Sequence, residues 1–424
     1  MATPSSPPSD DSPGTGTTTP LGGRFWRLWS ASALSNLADG VLRVALPLAA
    51  LRFTDSPPLV AGVTFALTVP WLLFALPAGA LADRVDRRSA MLGANIARGL
   101  ALTVLALVLA SGTASIWTLY AAALCVGVAE TVYDTASQSI LPQVVPRRRL
   151  SAANGRLHAV ELTAQQFVGP PLGGLLVALG LVAAFAAPAG LWLAALGVLV
   201  TVGGRYRVER AAPAPLRSDI AEGLRFLWRD RLLRTLAAMV GVSNFATNAA
   251  FAVLVLYAVG PDSALGLTEP GYGLLMTAAA AGSLLGALGA DRVERLLGRA
   301  RSLWLTVLTF ALLVGAPALS TNPFAVAACF LVGGVGIAVW NVITVSLRQR
   351  TTPDALLGRV NSAYRLLAWG TMPLGAAAGG LLAQFVGVRA VFAVMALLVL
   401  TLLVPMARID RAALGSGEAE HGAG

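Results

Sequence analysis

Several charged residues stand where charge is costly. Asp39, Arg98, Glu130 and Asp134 each lie inside an apolar run long enough to cross a bilayer. Ionisable groups at that depth are rare and usually mark an ion or substrate path. Asp39 lies about thirteen residues into its run, near mid-depth at 1.5 Å per residue. A carboxyl so placed can trade a proton as a cavity opens to one side and then the other. Asp39 is therefore the first candidate for proton coupling, and Glu130 the second. Arg43, one turn beyond Asp39, leaves a plainer reading open, a structural Asp39–Arg43 pair. Amides at mid-depth also need partners. Asn36 and Arg98 in one half, with Asn244 and Asn248 one turn apart in the other, are the candidate lining of a substrate cavity. An interhelical hydrogen bond is an equal alternative for the two later asparagines.

The elements that must position these groups follow from composition. Of 424 residues, 56% are hydrophobic and only 12% charged, with a mean hydropathy of +0.72. Soluble domains carry about 25% charged residues. The class is a polytopic membrane protein, all-α, since only helices or closed barrels satisfy their backbone in lipid. Apolar runs of about 20 residues predict twelve spans, near 26–51, 58–82, 90–111, 115–138, 156–180, 182–204, 234–259, 271–290, 302–319, 323–347, 356–385 and 387–407. The ninth is the shortest and ends at Pro317. Residues 1–23, rich in Ser, Thr, Pro and Gly, read as a disordered tail, 205–233 as a linker and 408–424 as a polar tail. Within the linker, Ser218 to Trp228 has apolar residues at helical spacing, predicting a surface helix beneath the two halves.

The net charge of +10 does not imply nucleic acid. All 31 basic residues are arginine, and on the twelve-span reading 26 fall on one side of the membrane. By the positive-inside rule that side, with both termini, is cytoplasmic, and the compartment is the inner (plasma) membrane. A chain without lysine has no Walker loop, so it does not drive transport with ATP by itself. Cys125 and Cys329 sit inside spans, and the two histidines have no partner motif. No metal, cofactor or enzymatic chemistry is expected. The expected partners are a small molecule, protons and the lipid bilayer, for a chain acting as a monomer.

The chain repeats itself. GALADRVDRR, Gly79 to Arg88, is a charged knot between two apolar runs, and GALGADRVER, Gly286 to Arg295, restates it. ADRVDR and ADRVER are 208 positions apart; Ser35-Asn36 and Ser243-Asn244 share that offset. Pro146, Leu150 and Asn154 match Pro353, Leu357 and Asn361 at 207, and the two GGLL segments at 206. The pattern predicts two six-span halves, 24–204 and 234–407, in parallel repeat, with the substrate site between them near the midplane.

The first knot resembles the signature loop of the major facilitator superfamily, G-x-L-x-D-R-x-G-R-R. Gly79, Leu81, Asp83, Arg84, Arg87 and Arg88 match, and Asp86 replaces the second glycine. GPPLGG, Gly169 to Gly174, resembles the core of the family's antiporter motif, carried by Gly169, Pro170, Gly173 and Gly174. Arg156 and Gln165 stand where the motif's upstream glycines would fall. The usual arginine of drug–proton antiporters is missing from span four, which has Glu130 and Asp134. These departures resemble the macrolide-efflux and enterobactin-exporter-like branch. The resemblance implies the major facilitator fold and a secondary, proton-coupled exporter of an amphipathic drug, antibiotic or siderophore-like molecule. A nutrient importer of the same fold, or a non-transporting receptor, remains the alternative.

The resemblance also implies a conformational switch. Asp83 would cap the eleventh helix, from the other half, in one access state and so favour the outward-open form. Arg87 would reach Asp134 as a salt bridge. The candidate aromatic lining is Phe65, Trp71, Phe74, Phe245, Phe251, Tyr364 and Trp369.

Overall fold

A computed structural model describes residues 21–204, 206, 216–260 and 262–407, with the side chains at 75–84, 147, 216–221, 354, 355, 357, 358 and 362 outside the description. Of the tails and linker expected from sequence, residues 1–20, 205, 207–215 and 408–424 lie outside the described residues.

Among the described residues, twelve helices are long and apolar enough to cross a membrane. In order they are Gly23–Ala50, Pro57–Arg84, Arg87–Ala110, Ile116–Val144, a fifth from Leu150 to Leu179, Leu181–Val200, Arg231–Ala258, Glu269–Leu297, Arg299–Leu319, Pro323–Thr351, Asp354–Val386 and a twelfth beginning Val388–Leu400. The ninth runs two residues past Pro317. Most breaks between helices carry turn chemistry. Thr268 and Asn322 cap the eighth and tenth helices, each with proline in the first turn, where its missing N–H costs nothing. Gly180, Gly298 and Gly387 separate helices that follow one another directly, each at positive φ, a conformation open to glycine.

The packing repeats as the sequence does. The first helix packs on the fifth and sixth, the second on the fourth, and the third on the fourth and sixth; the seventh packs on the eleventh and twelfth, the eighth on the tenth, and the ninth on the tenth and twelfth. Burial follows the same register. Phe185 and Phe392 are both buried at an offset of 207, as are Gly127 and Gly334. The two bundles join where the second helix meets the eleventh and the fifth meets the eighth.

A linker helix, Leu216–Arg229, has a strongly two-sided sequence. Its Leu227 is buried with Leu233, Ala237, Val360 and Ala363, and Glu222 pairs with Arg359 of the eleventh helix. It lies under the seventh and eleventh helices, and so beneath the second bundle rather than beneath both as the sequence suggested.

The charged knot at the arginine-rich end has a structural explanation for its departure from the family pattern. Asp86 accepts from the N–H of Ser89, capping the third helix, and from the N–H of Tyr206. Arg88 donates to the carbonyls of Leu199 and Val200 at 3.2 and 2.7 Å, and Arg87 to that of Tyr206 at 3.1 Å. Carbonyls at a helix C-terminus attract cations. The loop is thereby fastened to the end of the sixth helix, a job the family's glycine has no side chain to do. Replacing Asp86 with Ala should cost about 1–2 kcal/mol, read as a lower unfolding temperature of the solubilised protein, and Asn should restore most of it.

Candidate functional site

The first bundle is built around a buried guanidinium. Arg98, from the third helix, is wholly shielded, as are Ser35 of the first helix and Asn95 of the third. Arg98 Nη1 donates to Asp39 Oδ1 at 3.1 Å; Nη2 donates to Asn95 Oδ1 at 2.6 Å and Ser35 Oγ at 3.2 Å. Its planar group lies over Tyr133 at 4.5 Å and Trp192 at 4.8 Å, from the fourth and sixth helices. A cation removed from water needs acceptors on its rim and benefits from π faces above and below. Both are present, and they tie together four helices.

This arrangement corrects two expectations. Asp39 pairs with Arg98, not with Arg43, which is exposed. Arg43 and Asp39 lie one turn apart, but the first helix turns Asp39 toward the third helix. Arg98 does not line a cavity: its side chain has no exposed surface and packs against Tyr133 and Trp192, while that of its partner Asp39 is 11% exposed. Chain spacing contained no signal for this pairing, 59 residues apart.

Asp39 has acidic company. Glu130 and Asp134, one turn apart on the fourth helix, both interact electrostatically with Asp39 and with each other; Asp134 interacts also with Arg98 and with Glu161 of the fifth helix. Arg365 of the eleventh helix faces the same group from the other bundle: it interacts with Asp134 and donates to Gln138 Oε1 at 2.7 Å. Its guanidinium stacks on Trp369 at 4.2 Å, and Trp369 meets Trp71 edge-on at 4.6 Å. A three-carboxylate patch therefore sits between the buried Arg98 and a cross-bundle Arg365. The expected Arg87–Asp134 bridge is not formed in this conformation; Arg87 donates instead to the carbonyl of Tyr206, in the segment that follows the sixth helix. Gly79, Asp83 and Arg84 lie outside the described side chains.

The GPPLGG glycines are contact surfaces. Gly169 meets Gly40 backbone to backbone, beside Asp39, and Gly173 meets Val41 and Val44. Gly174 packs on Glu269 and Pro270 of the eighth helix. A Cβ at any of the three would overlap its neighbour, so the small-residue stripe sets how closely the helices approach. Just before the motif, Leu162–Val168 is a π-helical stretch, a feature frequent at functional sites. Gln165, where the family has glycine, lies in it with its backbone against Gly40; the small residue has moved to the partner helix. At this arginine-poor end Arg52 also bridges to Glu269 at 3.1 Å. The two bundles are thus closed together there.

The asparagines divide. Asn36 donates to Ser32 O and Asn248 to Asn244 O, each within its own helix. Asn244 donates to Ala368 O at 2.6 Å, tying the seventh helix to the eleventh. The interhelical alternative holds for Asn244.

A sequence profile described as "transmembrane secretion effector" matches residues 15–421. The chain belongs to this branch of the major facilitator superfamily. Its relatives there include the multidrug efflux pump Tap of Mycolicibacterium fortuitum, 29% identical over 88% of this chain and 92% of that protein. The enterobactin exporter EntS of Shigella boydii is 28% identical over 80% of each. Among solved structures, a bacterial homologue of the iron transporter ferroportin in an inward-facing state superposes with a TM-score of 0.73 at 18% identity, covering 91% of this chain and 98% of that one. This major facilitator protein is accordingly a multi-pass membrane transporter with the twelve-helix fold, in a family of transporters and not of enzymes.

Proposed function

We propose that this transporter exports a small amphipathic molecule in exchange for protons, by alternating access between its two six-helix halves, 24–204 and 234–407. The observation that carries the reading is the Asp39–Arg98 pair with Glu130 and Asp134 around it. Asp39, Glu130, Asp134 and Glu161 set four carboxylates against three guanidinium groups, Arg98, Arg365 and the exposed Arg43, and a proton is the simplest neutraliser of the excess. Asp39 keeps a sliver of exposure, so it can exchange that proton. Arg98 keeps two neutral acceptors and two ring faces, so it tolerates the exchange.

The direction of transport follows the relatives, which are named for multidrug and enterobactin efflux. The arginine distribution supports cytoplasmic termini in the inner membrane, and each chain is a complete pair of bundles able to act as a monomer. With the arginine-poor ends closed by Gly174, Glu269 and Arg52, this conformation suits access from the cytoplasm. In this reading Asp83 and its neighbours in the knot favour the opposite state. Inverted membrane vesicles with an acid interior test the reading with ethidium as probe. Accumulation that collapses with a protonophore is expected; accumulation unaffected by the protonophore, or loss of preloaded dye under the same gradient, overturns it.

A further inference from the structure

The second bundle contains a cavity of about 110 Å³, and its position is informative. In the repeat register, Ser35 corresponds to Ser243, Arg98 to Thr306, Tyr133 to Trp340 and Trp192 to Val399. Those four counterparts all line the cavity. The register is sound there: Ala94, Asn95, Arg98 and Leu105 are buried, and so are Ser302, Leu303, Thr306 and Leu313, each 208 positions on. The cavity is therefore the place where the first bundle keeps its guanidinium. Threonine for arginine and valine for tryptophan leave the space open.

What fits there differs from what fits in the first bundle. The acids have gone: Asp39 corresponds to Thr247, and Asp134 to Asn341, which lines the cavity. A cation would find no counter-charge. Phe310 and Trp340 supply flat apolar walls. One pole is polar: Ser243 and Asn244 line it, and with Asn244 Nδ2 held by Ala368 O, the amide is fixed in place and its oxygen is available as an acceptor. A comparable apolar cavity of about 150 Å³ holds benzene. We propose that this cavity binds a single uncharged aromatic ring bearing one hydrogen-bond donor, a phenol-like group, held between Trp340 and Phe310 with its donor on Asn244.

The proposal concerns binding and does not depend on direction or proton coupling. The test uses the full chain in lipid nanodiscs, with 4-fluorophenol as probe followed by fluorine NMR. Two variants fill the space: Thr306→Met, and Val399→Trp, which restores the residue type of the first bundle. Saturable binding to the native protein is expected, weakened more than about tenfold, or 1.4 kcal/mol, in Thr306→Met. Val399→Trp should do the same, and if it fails to fold, Thr306→Met decides alone. 4-Fluorobenzylammonium should show no component that filling removes. Absence of binding to the native protein, equal affinity in Thr306→Met, or an equal filling-sensitive component for the ammonium would each overturn the proposal.

Discussion

Asp39→Asn should abolish gradient-driven accumulation while leaving the protein folded and able to exchange substrate downhill. The amide is nearly isosteric with the carboxylate, and its oxygen can still accept from Arg98 Nη1, now 3.1 Å from Asp39 Oδ1. Arg98 also keeps Asn95, Ser35 and both ring faces, so its solvation does not collapse. What is lost is the only atom of the pair that can carry a proton, since an arginine side chain does not deprotonate in proteins. One pH unit across the membrane is worth about 1.4 kcal/mol per proton, a tenfold concentration ratio. Native vesicles should approach such a ratio for each coupled proton, and the variant should stay near unity while its counterflow persists. Glu130→Gln is the companion measurement. If Asp39→Asn accumulates substrate as the native protein does and Glu130→Gln does not, the coupling role passes to Glu130.

Much of this architecture was legible in the chain because membrane folding writes in long words. A span of twenty apolar residues is hard to miss, and an offset of 207 or 208 between matching residues carries through to buried Phe185 and Phe392. Asp39, Glu130 and Asp134 stood out individually for the same reason: lipid makes each one costly. Their partners did not stand out. Sequence displays neighbours one turn apart, which keeps an Asp39–Arg43 pair open as an alternative, whereas helix rotation selects Arg98 on another helix. Depth is readable from sequence and facing is not, which is why Arg98 reads as cavity lining although it is buried. Asp86 looked like a departure from a motif, and only the approach of Tyr206 revealed a cap joining two segments. The family resemblance aims Arg87 at Asp134, and only the approach of the segment after the sixth helix shows that it meets the Tyr206 carbonyl instead. The displacement of a small residue from position 165 to Gly40 could be seen only once the two helices were side by side.

Arg98→Met should be the more damaging change, and through folding rather than through transport alone. Methionine keeps much of the length but supplies no donors. Asp39, Ser35 and Asn95 would then face one another around a site with no cation, in a region where Ser35 and Asn95 have no exposed surface. Removing one partner of a buried ion pair costs about 3–5 kcal/mol, against a total stability of about 5–15 kcal/mol for a folded domain. A large fall in folded, membrane-inserted yield is expected. Arg98→Lys should rescue little, because an ammonium on a shorter stem does not reproduce the guanidinium fork that reaches Asp39, Asn95 and Ser35 while it packs on Tyr133 and Trp192. The double variant Asp39→Asn, Arg98→Met separates charge from packing. If the damage comes from the uncompensated carboxylate, the double variant should regain yield over Arg98→Met by about 1 kcal/mol or more of coupling, and still fail to accumulate substrate. Size-exclusion profiles of the four proteins of this cycle, at matched expression, give the answer. A double variant no better folded than Arg98→Met would assign Arg98 to packing of the third helix against Tyr133 and Trp192, with Asp39 incidental to its stability.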